Sequence, residues 1–150
     1  DEDYQEELDE RASRGEILQL GFHPDMHEFY RDCSAVVMPT WHEGMSNVLM
    51  EASACARPVI ASNISGCREI FEDGVTGYGF APHSPEELIR TLRHFLTLDR
   101  SQRAAMGEAA RQKMIEEFDR EKVAAAYLEE IHAAMEEPKE DGGKKGNSET

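Results

Sequence analysis

Basic residues are scarce in this chain. Lys and Arg number 16 against 31 Asp and Glu, a formal net charge of −15 over 150 residues. A nucleic-acid binder needs a basic footprint to meet phosphates, so nucleic acid is excluded as a general partner. An anionic membrane surface is disfavoured as the main partner for the same reason. Long apolar runs are also missing. A run such as Ala35 to Met38 falls far short of the ~20 residues that a membrane-spanning helix needs. No basic stretch followed by an apolar one opens the chain, so no secretory signal is read and a cytoplasmic location is expected. Cysteine is sparse and odd in number. Cys33, Cys55 and Cys67 form no Cys-x-x-Cys pair, which argues against a zinc site or a disulfide framework and for free thiols in a reducing compartment. The histidines 23, 27, 42, 83, 94 and 132 are scattered, with no metal-ligand spacing. No Gly-x-Gly-x-x-Gly follows a strand, which disfavours a dinucleotide oxidoreductase.

The acidic excess is uneven. The first sixteen residues hold eight acids against Arg11 and Arg14, and residues 136–150 hold five acids against three lysines. The apolar residues lie between these flanks. Three segments are expected: a charged flank over 1–15, readable as a solvated helix or a frayed end, a folded unit over 16–137, and a disordered tail over 138–150. The chain opens with Asp, so a piece of a longer reading frame or a processed product is expected.

Periodicity and punctuation give the elements. Glu16 to Phe22 alternates and reads as a short strand. Pro24 suits a first helical turn, with Met26, Phe29 and Tyr30 following at helical spacing. Ala35 to Met38, closed by Pro39, reads as a strand buried on both faces, as does Pro58 to Ser62. A helix is expected between them, over Gly44 to Ala56, and a short one over Ser65 to Glu72. Tyr78 to Phe80 makes a fourth strand. Three helices then follow. Ser84, Pro85 and Glu87 predict a capping box for the first, whose stripe is Leu88, Ile89, Leu92, Phe95 and Leu96. Ser101 is expected to cap the second, with Met106, Ala109, Ala110, Met114 and Phe118 inward. Asp119 is expected to cap the third, with Val123, Tyr127, Ile131 and Met135 inward and Pro138 stopping it. Strands alternating with helices predict an α/β fold with a parallel sheet. Ligands in such sheets bind beyond the carboxyl ends of the strands.

The loop after the second expected strand carries the chemistry. It places Glu43 and Gly44 directly before a helix start, with Glu51 two turns on. The glycine lets a ligand approach the backbone, and free amides around Met45, Ser46, Asn47 and Val48 suit an anion. The two carboxylates can meet hydroxyls at opposite ends of an extended ligand with phosphate between. A nucleoside-diphosphate sugar has that layout. Alone, each residue has an ordinary reading too: Asn47 as a helix cap, Trp41 as rim packing, Gly66 and Glu69 as a turn glycine and a capping acid.

The segment resembles the Glu-x(7)-Glu signature of the retaining group 1 (family 4) glycosyltransferases. Leu20-Gly21-Phe22-His23, the Ala35–Pro39 strand, Arg57-Pro58-Val59-Ile60-Ala61-Ser62, Gly66-Cys67-Arg68-Glu69, Asp73-Gly74 and Thr76-Gly77-Tyr78 fall in that family's order, over roughly residues 16–132. Within it the motifs look most like bacterial enzymes acting on lipid-linked oligosaccharide, capsule or exopolysaccharide. The resemblance implies a GT-B fold, of which this chain matches only the later, Rossmann-like part of the C-terminal domain. It implies that Glu43 acts at the transferred sugar and is the catalytic residue, with Gly44, Met45 and Ser46 binding that sugar. It further implies diphosphate on the amides of Asn47 and Val48, ribose on Glu51 and the base edge at the backbone of His23. No cofactor or metal is implied beyond a nucleotide-sugar co-substrate, most commonly UDP-linked. A saccharide or lipid-linked acceptor would bind through an N-terminal domain that the chain does not contain, with peripheral membrane association of the parent enzyme.

Two departures stand out. Ala56 replaces the family's usual glycine, which suggests a different helix end. The earlier strands of the donor domain, with the Arg and Lys aimed at the diphosphate, have no counterpart here. A piece with open sheet edges is expected to be inactive alone. The competing readings are a non-catalytic interaction module or split-enzyme subunit, and another GT-B nucleotide-sugar enzyme such as an epimerase.

Overall fold

Val59 to Ser62 is the centre of the fold. In the computed structural model, which describes residues 2–136, this strand is wholly buried and has a parallel neighbour on each side. The elements are α1 (Glu2–Ser13), α2 (His27–Asp32), β1 (Val36–Met38), α3 (Asn47–Ala54), β2 (Val59–Ser62), β3 (Gly77–Phe80), α4 (Pro85–Thr97), α5 (Arg100–Glu117) and α6 (Arg120–Glu136). The sheet order is β1-β2-β3, with Val36 opposite Val59 and Val59 opposite Gly77.

Alternation along β2 splits the core. Val59 and Ala61 point to one face, where they join Tyr30, Leu49, Ala52, Cys67 and Ile70. Ile60 points to the other and meets Phe80, Phe95 and Met106. Burial on both faces is why this strand reads as an unbroken apolar run. Each fully buried Leu49, Val59 or Ile60 contributes ~1.5–3 kcal/mol. Helix α5 joins the two clusters, giving Met106 to one and Met114 to the other. It packs closely on the end of α3, because a Cβ at Gly107 would stand 2.1 Å from the Ala56 carbonyl.

Several local expectations change. Residues 16–22 form no strand; Leu18 and Phe22 are exposed. A strand needs a paired neighbour, and the outer edge of β1 has no strand beside it among the described residues. β1 is accordingly an edge strand with Val37 exposed, and is not buried on both faces. Residues 65–70 are a run of turns and not a helix. Helix α2 starts at His27, beyond Pro24, with the Asp25 carboxylate accepting from the His27 amide at 2.9 Å.

The caps were partly misread. Ser84 caps α4 as expected, but Glu87 turns away from the box and accepts from the Ala81 amide at 2.9 Å. Asp99 caps α5 in place of Ser101. Its carboxylate accepts from Gln102 N at 2.9 Å and Gln102 Oε1 accepts from Asp99 N at 2.8 Å, while Ser101 donates to Asp99 at 2.6 Å. Hydrogen bonds from Ser101 and Gln102 hold the Asp99 carboxyl below its ordinary range. Asp119 does meet the start of α6, accepting from Glu121 N at 2.8 Å.

Ala56 corrects the reading of the α3 terminus. Its φ of 56° is left-handed, and Arg57 N donates to Ala52 O at 2.9 Å while Ala56 N donates to Ser53 O at 2.9 Å. This is the Schellman ending that glycine normally makes, here formed by alanine at a steric cost. Two apolar stripes are also less buried than expected. On α4, Leu88, Leu92 and Phe95 turn inward while Ile89 and Leu96 stay exposed. On α6 the whole set Val123, Tyr127, Ile131 and Met135 is exposed. The helix is interrupted at Phe118 and Asp119, and α6 is exposed from residue 120 to 135. The disordered tail expected at 138–150 lies outside the described residues. Helix α1, the charged flank, is laced by Arg11–Glu7 and Arg14–Glu10 pairs at i,i+4.

Candidate functional site

The loops that follow β1 and β2 meet at the carboxyl end of the sheet. Gly66 makes their contact possible. Its φ is +87°, and a Cβ there would lie 2.0 Å from the Gly44 carbonyl oxygen and 2.6 Å from that of Glu43. The Gly66 carbonyl in turn accepts from Ser46 N at 3.1 Å. Glu69 fixes the turn from below, its carboxylate accepting from Gly66 N at 2.7 Å and Ser65 Oγ at 3.4 Å. Its own backbone amide, then that of Gly66 and the Arg68 guanidinium, hold this carboxyl below its usual range. Gly66 and Glu69 therefore have the turn and capping roles.

Ser46, not Asn47, caps α3. Its side chain is buried and accepts from Leu49 N at 3.4 Å, and its carbonyl accepts from Met50 N at 3.0 Å. Ser46 has its amide committed to the Gly66 carbonyl, and its hydroxyl, though free to donate, is buried beneath the loop. It holds the loop that presents Gly44 and Met45. The amides of Asn47 and Val48, the first two of the helix, have no acceptor among the described residues. Met45 and Val48 are exposed beside them.

Glu51 stands on the same helix face as Asn47, one turn on, roughly 6 Å along the axis. Its Oε2 accepts from the Tyr30 hydroxyl at 3.1 Å. Burial, then this hydrogen bond, pushes the Tyr30 phenol up to about 12. Tyr30 was read from the sequence only as an apolar helix residue; its contact with Glu51 spans 21 positions and leaves no local signal. Glu43 is half-buried above Cys67, whose thiol is pushed up first by burial, then by Glu43 and Glu69. Arg68 is the one Lys or Arg in these loops, and it is paired with Glu69 at 3.3 Å.

His23 is not brought to this cluster by any described contact. Its ring meets the Leu20 carbonyl at 2.8 Å and the Phe29 ring at 4.7 Å between centroids. Trp41 sits at the rim, exposed, with its ring 4.8 Å from that of His83. Together with Pro39, Phe80 and Leu88 they border a cavity of about 250 Å3 at the strand ends. Among the described residues no group of three or more His, Cys, Asp or Glu is placed to hold a metal ion, and no helix is long and apolar enough to cross a membrane.

Comparison with known proteins gives this arrangement a context. A profile of the glycosyl transferases group 1 family matches residues 1–113. The D-inositol 3-phosphate glycosyltransferase of Streptomyces bingchenggensis is 33% identical over 74% of this chain and 24% of its own length. The glycogen synthase of Mycobacterium tuberculosis is 31% identical over 75% of this chain and 27% of its own. The chain thus spans about a quarter of the length of the curated relatives it matches. Among solved structures, Anabaena HepE in complex with UDP superposes with a TM-score of 0.77 at 24% identity, covering 88% of this chain and 37% of that one. The same protein in complex with UDP and glucose gives 0.72 at 26%, over 88% and 37%. These neighbours are GT-B glycosyltransferases, so the parallel sheet is part of a Rossmann-like C-terminal domain.

Proposed function

The chain belongs to the group 1 glycosyltransferases, and on that premise we propose that it forms part of the donor site of a retaining sugar transferase. The donor is a nucleoside-diphosphate sugar, UDP-linked as in the HepE complexes, and the acceptor is a saccharide or a lipid-linked saccharide. One observation carries this reading: two unpaired amides, Asn47 and Val48, open a helix whose same face bears Glu51, with Glu43 and Gly44 locked alongside by Gly66. Diphosphate meets the two amides, where the helix dipole also favours negative charge. Glu51 accepts from the ribose hydroxyls, held in place by Tyr30. Glu43 accepts from hydroxyls of the transferred sugar, with the backbone of Gly44 and Met45 at its edge, and the base reaches the backbone near His23.

In the transfer, the bond between the anomeric carbon and the diphosphate oxygen breaks. The acceptor hydroxyl attacks from the same face, and its proton passes to the departing phosphate oxygen. Glu43 forms no bond to the sugar; it stabilises positive charge developing at the ring. Among the described residues no unpaired cationic side chain stands in these loops, Arg68 being paired with Glu69, so turnover is expected to require residues beyond them. The test is to assay the intact protein against a panel of nucleotide sugars and then its Glu43→Ala variant. The expected result is a kcat lowered far more than donor affinity. A variant that loses donor affinity while keeping kcat rejects the placement of Glu43. Turnover by residues 1–150 alone rejects the dependence on the remainder.

A further inference from the structure

The opposite end of the sheet holds a second charged site that neither the family reading nor the donor geometry uses. A cavity of about 560 Å3 opens where the chain enters β1 and β2, lined by Arg31, Arg57, Arg100 and Arg103. It is roughly 10 Å from the donor loops along β2. Four guanidinium groups share it in a chain whose net charge is −15.

Three observations argue that these arginines are arranged for a ligand. First, two of them are held in position. Arg57 Nη1 donates to the Cys33 carbonyl at 3.3 Å, and Arg103 Nη2 donates to Leu96 O at 3.0 Å while its guanidinium lies 5.1 Å from the centre of the Phe95 ring. Second, they are left with donors to spare. Arg57 Nε and Arg103 Nε are buried with no hydrogen-bond partner. The nearby carboxylates are already engaged: Asp32 with Arg31 at 3.5 Å, and Asp99 with the cap of α5. Third, the placement opposes the fold's own preference. Arg100 and Arg103 occupy the start of α5, where positive charge is disfavoured by the dipole and the one acid, the capping Asp99, is shared with Ser101 and Gln102. Helix capping explains one contact each for Arg57 and Arg103. It explains neither the orphaned nitrogens nor the gathering of like charges.

We infer that this cavity binds a phosphorylated small molecule, its phosphate monoester held by Arg57, Arg100 and Arg103. A phosphate dianion matches the fork of guanidinium donors, and the volume lies within the range of small-molecule sites. The apolar side chains of Pro58 and Leu98 would face the remainder of the ligand. This site is separate from the donor-binding loops and does not depend on the reading given to them.

Inorganic phosphate is the probe. It is titrated into the intact protein at constant ionic strength against chloride, with the arginine Nε–H resonances followed by NMR. The expected result is a saturable shift of the Arg57 and Arg103 Nε–H signals. Arg100→Gln is chosen as the variant because Arg100 is exposed and makes no capping contact. It should weaken phosphate binding roughly tenfold without lowering the Tm. A second arm uses vesicles of phosphatidic acid in phosphatidylcholine. Retention that Arg100→Gln abolishes supports a lipid headgroup as the source, and phosphate binding without retention supports a soluble one. A response no greater than that to chloride overturns the proposal, as does phosphate binding that survives Arg100→Gln with Arg31→Gln.

Discussion

The two ends of the three-stranded sheet present positive potential by different means. At the carboxyl ends it comes from backbone: the amides of Asn47 and Val48 at the start of α3, in loops whose one Arg is paired with Glu69. At the amino ends it comes from side chains, four arginines gathered in one cavity. The difference teaches why net charge is a poor guide to anion binding. Backbone donors do not appear in the composition, so a chain at −15 still presents them. They are also brittle, since they depend on loop geometry. The exposed Arg31 and Arg100 tolerate change at little cost to the fold.

That contrast is sharpest in stability. Gly66→Ala places a Cβ within 2.0 Å of the Gly44 carbonyl at a φ of +87°. It should cost about 3 kcal/mol or more in urea unfolding and disorder the loop that presents Gly44 and Met45. Arg100→Gln, at the other end, should change stability by less than about 0.5 kcal/mol. Equal losses would erase the distinction.

Next in size is Glu51→Ala. Loss of a charged hydrogen bond to ribose should weaken nucleotide-sugar affinity of the intact protein by ~1.5–3 kcal/mol in calorimetry. Unchanged affinity rejects the ribose assignment.

Ala56→Gly should stabilise the protein by about 1 kcal/mol, because it relieves a left-handed alanine that already makes the Schellman bonds. A loss of stability would show that the Ala56 methyl contributes packing that outweighs its strain.

The smallest effect is confined to alkaline pH. Tyr30 titrates at about 12 in the folded protein and near 10 when unfolded. The unfolded chain therefore releases its proton first as pH rises. The stabilisation is complete below about 10 and lost between about 10 and about 12. Tyr30→Phe should flatten that part of the stability curve, and an unchanged slope would separate Tyr30 from it.

How much of this was legible in the sequence follows from what each feature needs. Ser84-Pro85 and the Val59–Ser62 run depend on neighbours a few residues away, and both appear as read. The Glu43–Glu51 loop was visible because its residues are consecutive. Features that need a partner distant in sequence were not. Glu16–Phe22 has a strand's pattern without a strand beside it, and the α6 stripe has a helix's pattern without a surface to cover it. Gly66 shows its necessity only once the Glu43–Gly44 carbonyls stand against it. Arg31, Arg57, Arg100 and Arg103 are spread over some seventy residues, and only the fold collects them. Asp99 and Ser101 are both good caps by residue type, and which of them caps α5 rests on where the chain turns.

The most direct measurement follows the backbone amides of the intact protein by NMR as UDP is added. Diphosphate bound at the start of α3 should shift the Asn47 and Val48 resonances saturably. Amides of Asn47 and Val48 that do not move at UDP concentrations where calorimetry registers saturated binding would contradict the placement of the donor at the carboxyl end of the sheet.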